Sequence, residues 1–406
     1  MLGTAANRGW RIKQMDITIA FLNGIILKEL YMLQPEGLDD GSGKVCRLKK
    51  AIYGLKQAPR AWYHKLEQTL LSGGFKKSEC DHRLFLLQEK EQFFMLLVYV
   101  DDILLLSKSS AMIEHVEEML EMQFKCSKMG DVKYYLGMHV ERDLDKGVLR
   151  LHQRKYCEGL AEKYGLQDGG KPATPPPLGF IVEPCVDEEV VGESDRKLFH
   201  SMVGALNYAA NHTRPDIAFS AFRLASVVSR PSHDAVRQRL QRGAAELSKG
   251  EMLLTCYTDA SFNSVKADGT SIGGYVCLFG GGAVSWHSKK QNEVGLSSCE
   301  TEYMALHHGV KEVVWLRRLL EEIGVCQREP SVMRFRLGGY ERTHPLLNKP
   351  FYPSGLVPGI LTWCQSGLGF ESRRFRLGGY GRTHPLLNKP FYSSGLVTGI
   401  LTCKYM

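Results

Sequence analysis

The chain has 406 residues, 44% hydrophobic and 24% charged, with a formal net charge of +8. That length allows two or three domains with sizeable cores, and the composition excludes wholesale disorder. The mild positive charge permits a polyanion partner without demanding one, while the 11 scattered cysteines include no C-x-x-C pair and so indicate neither a zinc site nor a disulfide framework. Free thiols suit a cytoplasmic or nuclear protein. Asn7, Arg8, Arg11 and Lys13 interrupt any apolar leader, so no secretion signal and no membrane partner are expected.

In chain order, Gln14 to Gly24 reads as a strand carrying Asp16 and running into a turn at Asn23-Gly24. An acid in an apolar strand invites a metal or a partner; an edge or capping acid is the alternative. Lys44 to Tyr63 interleaves Lys44, Arg47, Lys49, Lys50, Lys56 and Arg60 with Tyr53, Trp62 and Tyr63. Such a mixture suits a surface that tracks a nucleic-acid backbone and stacks bases, although a solvated basic face would look the same. Phe93 to Leu106 places Asp101-Asp102 between two apolar runs of strand length, which predicts a β-hairpin with the acids at or beside the turn. Two readings stand for that pair: ordinary turn chemistry, or carboxylates whose mutual repulsion is relieved by a metal.

Three motifs in this order, Asp16 to Gly24, LKKAIYGLKQAPRAWY at Leu48 to Tyr63, and Tyr99-Val100-Asp101-Asp102, closely resemble the reverse transcriptase of copia-type LTR retrotransposons. The resemblance continues through Tyr134-Tyr135-Leu136-Gly137 and Arg214-Pro215-Asp216-Ile217-Ala218 and ends near Gly324. It implies an RNA-directed DNA polymerase in which Asp16 and Asp101, with Asp102 beside them, bind two Mg²⁺ ions. Phe21, on the strand after Asp16, would be the aromatic gate against a ribose 2′-hydroxyl. Gln57, with Lys56 and Arg60 in the same segment, would contact nucleotide and template, and Tyr99 would lie near the primer terminus. The implied partners are an RNA or DNA template with primer, deoxynucleoside triphosphates and other products of a Pol polyprotein, in the cytoplasm, the nucleus or a virus-like particle.

Further along, Met112 to Phe124 keeps helical spacing after a cap at Ser109-Ser110. Tyr134 to Val140 and Val148 to His152 suggest another hairpin, and Lys155 to Tyr164 a helix. Gly169 to Pro184 is rich in Pro and Gly, marking a linker within residues 167–194. Residues 195–250 read as a helical connection. Leu253 to Ala260, Gly274 to Phe279 and Ala283 to His287 read as strands. A capping box at Ser297-Ser298-Cys299-Glu300 then opens an amphipathic helix through Ile323. That order resembles the opening βββα of ribonuclease H, and the resemblance implies Asp259 and Glu302 as its metal ligands. His307 and His308 read as surface or packing residues.

The expected architecture is α+β. A polymerase palm with a ferredoxin-like sheet, together with the thumb and lacking fingers, spans residues 1–166, and the connection leads to a truncated ribonuclease H-like module over 251–329. An irregular tail over 330–406 contains Arg334 to Thr362, repeated almost unchanged as Arg374 to Thr402. Only 15 residues precede Asp16, and beyond Pro330 no strand–Asp–Asn segment of the kind the resemblance calls for appears. The expectation is therefore a polymerase fragment inactive as it stands and without ribonuclease H activity. The alternative is a non-catalytic retroelement relic that binds nucleic acid.

Overall fold

Alternating and continuous apolar runs near the N-terminus build a sheet covered on both faces. The computed structural model describes residues 1–165, 192–229, 245–247, 252–265, 268–337 and 340–345. A short helix, α1 (Leu2–Asn7), precedes β1 (Arg11–Ile17), and a small ribbon of β2 (Tyr31–Met32) and β3 (Cys46–Arg47) follows. Next come α2 (Ala58–Ser72), β4 (Lys76–Lys77), β5 (Leu84–Glu89), β6 (Gln92–Tyr99) and β7 (Asp102–Ser107). Helix α3 (Ser110–Gln123) and β8 (Cys126–Asp131) complete this unit. The strands form one sheet in the order β4-β5-β6-β7-β1-β8.

Helices α2 and α3 cover one face, where Trp62, Leu66 and Val116 pack with Met15, Phe94 and Ile103. The other face sends Ile12, Met95, Leu97 and Leu104 into a core shared with Val313 and Leu316 of the C-terminal module. With both faces buried, β6 and β7 read as continuous apolar runs rather than alternating ones. Helix α3 begins where the Ser109 hydroxyl accepts the Met112 amide at 3.3 Å, as the serine pair predicts.

The second hairpin is β10 (Met138–Asp143) paired with β11 (Val148–His152), edged by β9 (Tyr134–Tyr135) and β12 (Ala245–Leu247). Helices α4 (Arg154–Lys163), α5 (Glu193–His212) and α6 (Ala218–Ser226) belong to the connecting region. Strand β12 corrects the all-helical reading of residues 195–250. It is formed by pairing to β11, nearly a hundred residues earlier, which no local periodicity reports. Gly169 to Pro184 lies outside the described residues.

The C-terminal sheet has the order β15-β14-β13-β16-β17, from β13 (Thr255–Val265), β14 (Thr270–Phe279), β15 (Gly282–Lys290), β16 (Val332–Leu337) and β17 (Tyr340–Pro345). Helix α7 (Ser298–Glu322) packs on it. The Ser297 hydroxyl accepts the Glu300 amide at 3.2 Å, and the Glu300 carboxylate reaches the Leu296 amide at 2.7 Å.

Strands β16 and β17 overturn the expectation that the module ends at residue 329 with an irregular tail behind it. β16 runs parallel to β13, with Thr255 beside Val332 and Tyr257 beside Arg334. Met333 and Phe335 are buried, so the alternation around Arg334 is a strand signal that the surrounding Gly and Arg content had masked. The rest of the first repeat, and all of the second, lie outside the described residues. Among the described residues no helix is long and apolar enough to cross a membrane.

Candidate active site

The β1–β7 register sets Asp16 directly opposite Asp102, so both carboxylates leave the same side of the sheet. Between Tyr99 and Asp102, which pair across the β6–β7 hairpin, Val100 and Asp101 form the two-residue turn. Val100 has φ +57°, a left-handed conformation that costs a β-branched residue about 1–2 kcal/mol. Two bonds hold the turn. The Ile17 amide donates to the Asp101 carbonyl at 2.9 Å, and the Trp62 indole N–H donates to the Val100 carbonyl at 2.6 Å. Asp16, Asp101 and Asp102 are thereby gathered at one end of β1.

Their electrostatics record the crowding. The Asp16 carboxyl is raised above its ordinary value, by partial burial first and then by the Asp101 charge. Asp102 is raised mainly by burial, with Asp101 and Asp16 adding, while the Gln14 amide donating to it at 3.0 Å works in the opposite direction. Tyr53 is raised by burial and then by Asp101 and Asp16, and the buried Tyr135 phenol by burial and then by Asp102. These two phenols therefore border the cluster. Among the described residues no group of three or more His, Cys, Asp or Glu side chains is arranged to hold one ion directly. Clustered, partly desolvated carboxylates are nonetheless the donor chemistry of a hard cation that keeps waters and takes further oxygens from its substrate.

Phe21 lies near these acids but not on the strand where it was expected. It sits in a 3-10 turn, Ala20–Asn23, entered through Ile19 at φ 53°. It is buried in the core beneath α2, with the Tyr53 ring beside it at 4.5 Å between centroids. Gly24 makes this packing possible, because a Cβ there would come 2.8 Å from the Trp62 backbone nitrogen. Gln57 occupies the N-cap of α2 and is half-buried, with Lys56 and Arg60 exposed around the same helix end. Tyr99 is half-buried at the base of the turn, with the Arg83 guanidinium 5.7 Å above its ring. Trp62 is corrected from a stacking surface to the core: it is 2% exposed and packs edge-on to Phe124.

In the second module, a Cβ on Gly309 would strike Thr258, and one on Gly273, the partner of Ala260, would meet Ala305 at 3.3 Å. Thr258 and Ala260 thus face α7, and strand alternation turns Asp259 to the other side. There Asp259 lines a groove of about 760 Å³ with Asp216, Tyr257, Trp286 and Arg334. Glu302 is buried on α7. Glu302 therefore lies on the helix covering the opposite face of β13 from Asp259, and Asp216, the other acid in the groove, is paired with Arg214; the charge on the neighbouring β16 in this groove is Arg334, over the Tyr257 ring. His307 and His308 are exposed.

Residues 1–177 match the family described as reverse transcriptase (RNA-dependent DNA polymerase). The chain is also 36% identical over 350 residues to the retrovirus-related Pol polyprotein from transposon RE2 of Arabidopsis thaliana, covering 82% of this chain and 23% of that one. This chain belongs to the reverse transcriptase family of copia-type Pol polyproteins. The Pol polyprotein from transposon TNT 1-94 of Nicotiana tabacum is 35% identical over 81% of this chain and 26% of its own length. A putative transposon Ty5-1 protein of Saccharomyces cerevisiae is 28% identical over 74% of this chain and 100% of its own length. The chain spans about a quarter of the length of the two plant Pol polyproteins.

Within this reverse transcriptase sequence, motif reading found the three acids but missed the residues that hold them. Gln14 precedes Asp16 by one strand repeat, a spacing that places both side chains on one sheet face. That spacing was an available signal. Trp62 and Tyr53 carried no local mark of their roles, because their contacts are made across the fold.

Proposed function

We propose that the N-terminal unit is a polymerase palm that joins a deoxynucleotide to a primer 3′-hydroxyl on an RNA or DNA template. The observation that carries this reading is the pairing of Asp16 with Asp102 while Asp101 stands at the adjoining turn. Asp16, Asp101 and Asp102 would hold two Mg²⁺ ions, whose chemistry is to activate the attacking hydroxyl and neutralise charge on the triphosphate. The protein's own part is placement. Gln14 orients Asp102, and the two bonds to the turn fix the backbone of Asp101. Phe21 and the neighbouring Tyr53 would border the sugar of the incoming nucleotide. Gln57, Lys56 and Arg60 supply amide and cationic contacts for nucleotide and template at the start of α2, and Tyr99 supports the primer end.

The C-terminal module is proposed to be ribonuclease H-like in fold and without hybrid-cleaving activity. Two-ion cleavage needs several converging carboxylates. Here Asp259 turns away from the helix that carries Glu302, no group of three or more such side chains converges among the described residues, and Arg334 adds positive charge to Asp259's groove.

Primer extension on an RNA template tests the first reading: Mg²⁺-dependent synthesis that is lost in Asp101→Asn supports it. Salt-sensitive primer–template binding without synthesis would replace it with the non-catalytic binding protein. An in-gel assay tests the second, and hybrid degradation abolished by Asp259→Asn would overturn it.

A further inference from the structure

We propose that Trp62 is a positioning residue for the acid cluster, acting through its indole N–H on the Val100 carbonyl. The proposal rests on the polymerase reading for its functional meaning and on geometry for its substance. Val100 is a valine held at φ +57° next to Asp101. Backbone strain of that kind persists only where neighbouring contacts over-determine it. The Trp62 N–H, 2.6 Å from the Val100 carbonyl, is one such contact, and the Ile17 amide on the Asp101 carbonyl is the next along the chain.

Trp62 is itself anchored. Its ring is 2% exposed, packs edge-on to Phe124 at 5.1 Å, and lies on a helix turn that Gly24 approaches closely. The helix carrying Gln57, Lys56 and Arg60 at its start is therefore tied by one hydrogen bond to the turn carrying Asp101. Without the N–H, the left-handed Val100 loses one of the contacts holding it. The turn can then relax, and Asp101 drifts from Asp16. Packing of the ring is a separate matter and survives in a phenylalanine.

Trp62→Phe in the full chain tests this, with Mn²⁺ as the probe ion followed by electron paramagnetic resonance. The expected result is Mn²⁺ affinity weakened about tenfold, the scale of one lost hydrogen bond to a part-buried acceptor, with the thermal midpoint close to that of the parent. Val100→Gly in the same chain should restore affinity, because glycine adopts the turn without strain. Parent-like Mn²⁺ affinity in Trp62→Phe overturns the proposal.

A second readout separates this assignment from the polymerase reading. In the metal-free protein, the Ile17 amide, which donates to the Asp101 carbonyl, should exchange faster with solvent deuterium in Trp62→Phe, read by nuclear magnetic resonance, as the turn relaxes. A parent that binds Mn²⁺ yet extends no primer defeats the polymerase reading and leaves the assignment standing. A parent that binds no Mn²⁺ defeats the metal reading, and the Ile17 amide then decides: faster exchange supports Trp62, parent-like exchange refutes it. If Trp62→Phe does not fold, a benzothiophene analogue at position 62, with sulfur in place of the N–H, gives the same comparison.

Discussion

The Ile17 amide donates to the Asp101 carbonyl at 2.9 Å. This bond carries the β1–β7 pairing one step past Asp16 and Asp102, so the end of β1 grips the turn of the β6–β7 hairpin. A carboxylate on a free hairpin tip would turn away from two like charges. Here the backbone denies it that movement; the Asp16 and Asp102 carboxyls are raised first by burial, with the neighbouring charges adding.

Removing one of those charges should stabilise the metal-free protein. Asp16→Asn is expected to raise the thermal midpoint in chelator by about 2 °C, while abolishing Mg²⁺-dependent stabilisation. Calorimetry of both proteins with and without MgCl₂ checks this. A lower midpoint for the variant would show that Asp16 is a structural acid rather than one of a repelling set.

Burial of these acids, with their mutual repulsion adding, gives a pH signature. Asp16 and Asp102 have folded-state values raised above their unfolded ones, so their ionised forms are the ones the fold disfavours. Their contribution to stability improves as pH falls from neutrality through the raised values, and levels off below the unfolded value. Asp268, held at about 2 by Lys290 and Thr270, acts oppositely and loses its contribution only as pH falls through that lower range. Acidification should therefore favour the parent relative to Asp16→Asn, so the gap between their metal-free melting points should narrow as pH falls. Saturating Mg²⁺ at neutral pH should raise the midpoint in the parent, since a ligand that binds only the folded state stabilises it.

Gly24→Ala should destabilise by about 1–3 kcal/mol, because the new Cβ would stand 2.8 Å from the Trp62 backbone nitrogen. Urea denaturation measures the loss. Primer extension should fall with it, since the shift separates the Phe21 turn from α2. An unchanged urea midpoint would mean that the two elements can part freely.

Met333→Ala should cost about 2–5 kcal/mol, because Met333 is 1% exposed within the core beneath α7. Chemical denaturation followed by Trp fluorescence reports on the loss. No change would mean that β16 is dispensable to the sheet and that the module does end before residue 330.

Much of this protein was legible in its residues. The hairpin at Phe93 to Leu106, the Ser109 and Ser297 caps and the three acids are local patterns or motifs, and backbone geometry follows such patterns directly. Tertiary structure decided which side chains the acids meet. The Gln14–Asp102 bond spans 88 residues and the Trp62–Val100 bond 38, distances over which sequence periodicity carries no information. It also decided that Trp62 is core rather than surface, since burial of an aromatic depends on what packs against it. Strand β16 shows the boundary between the two. Its alternation was written in Val332 to Leu337, but only the open edge of β13, set by the fold of residues far upstream, gave that alternation a sheet to join.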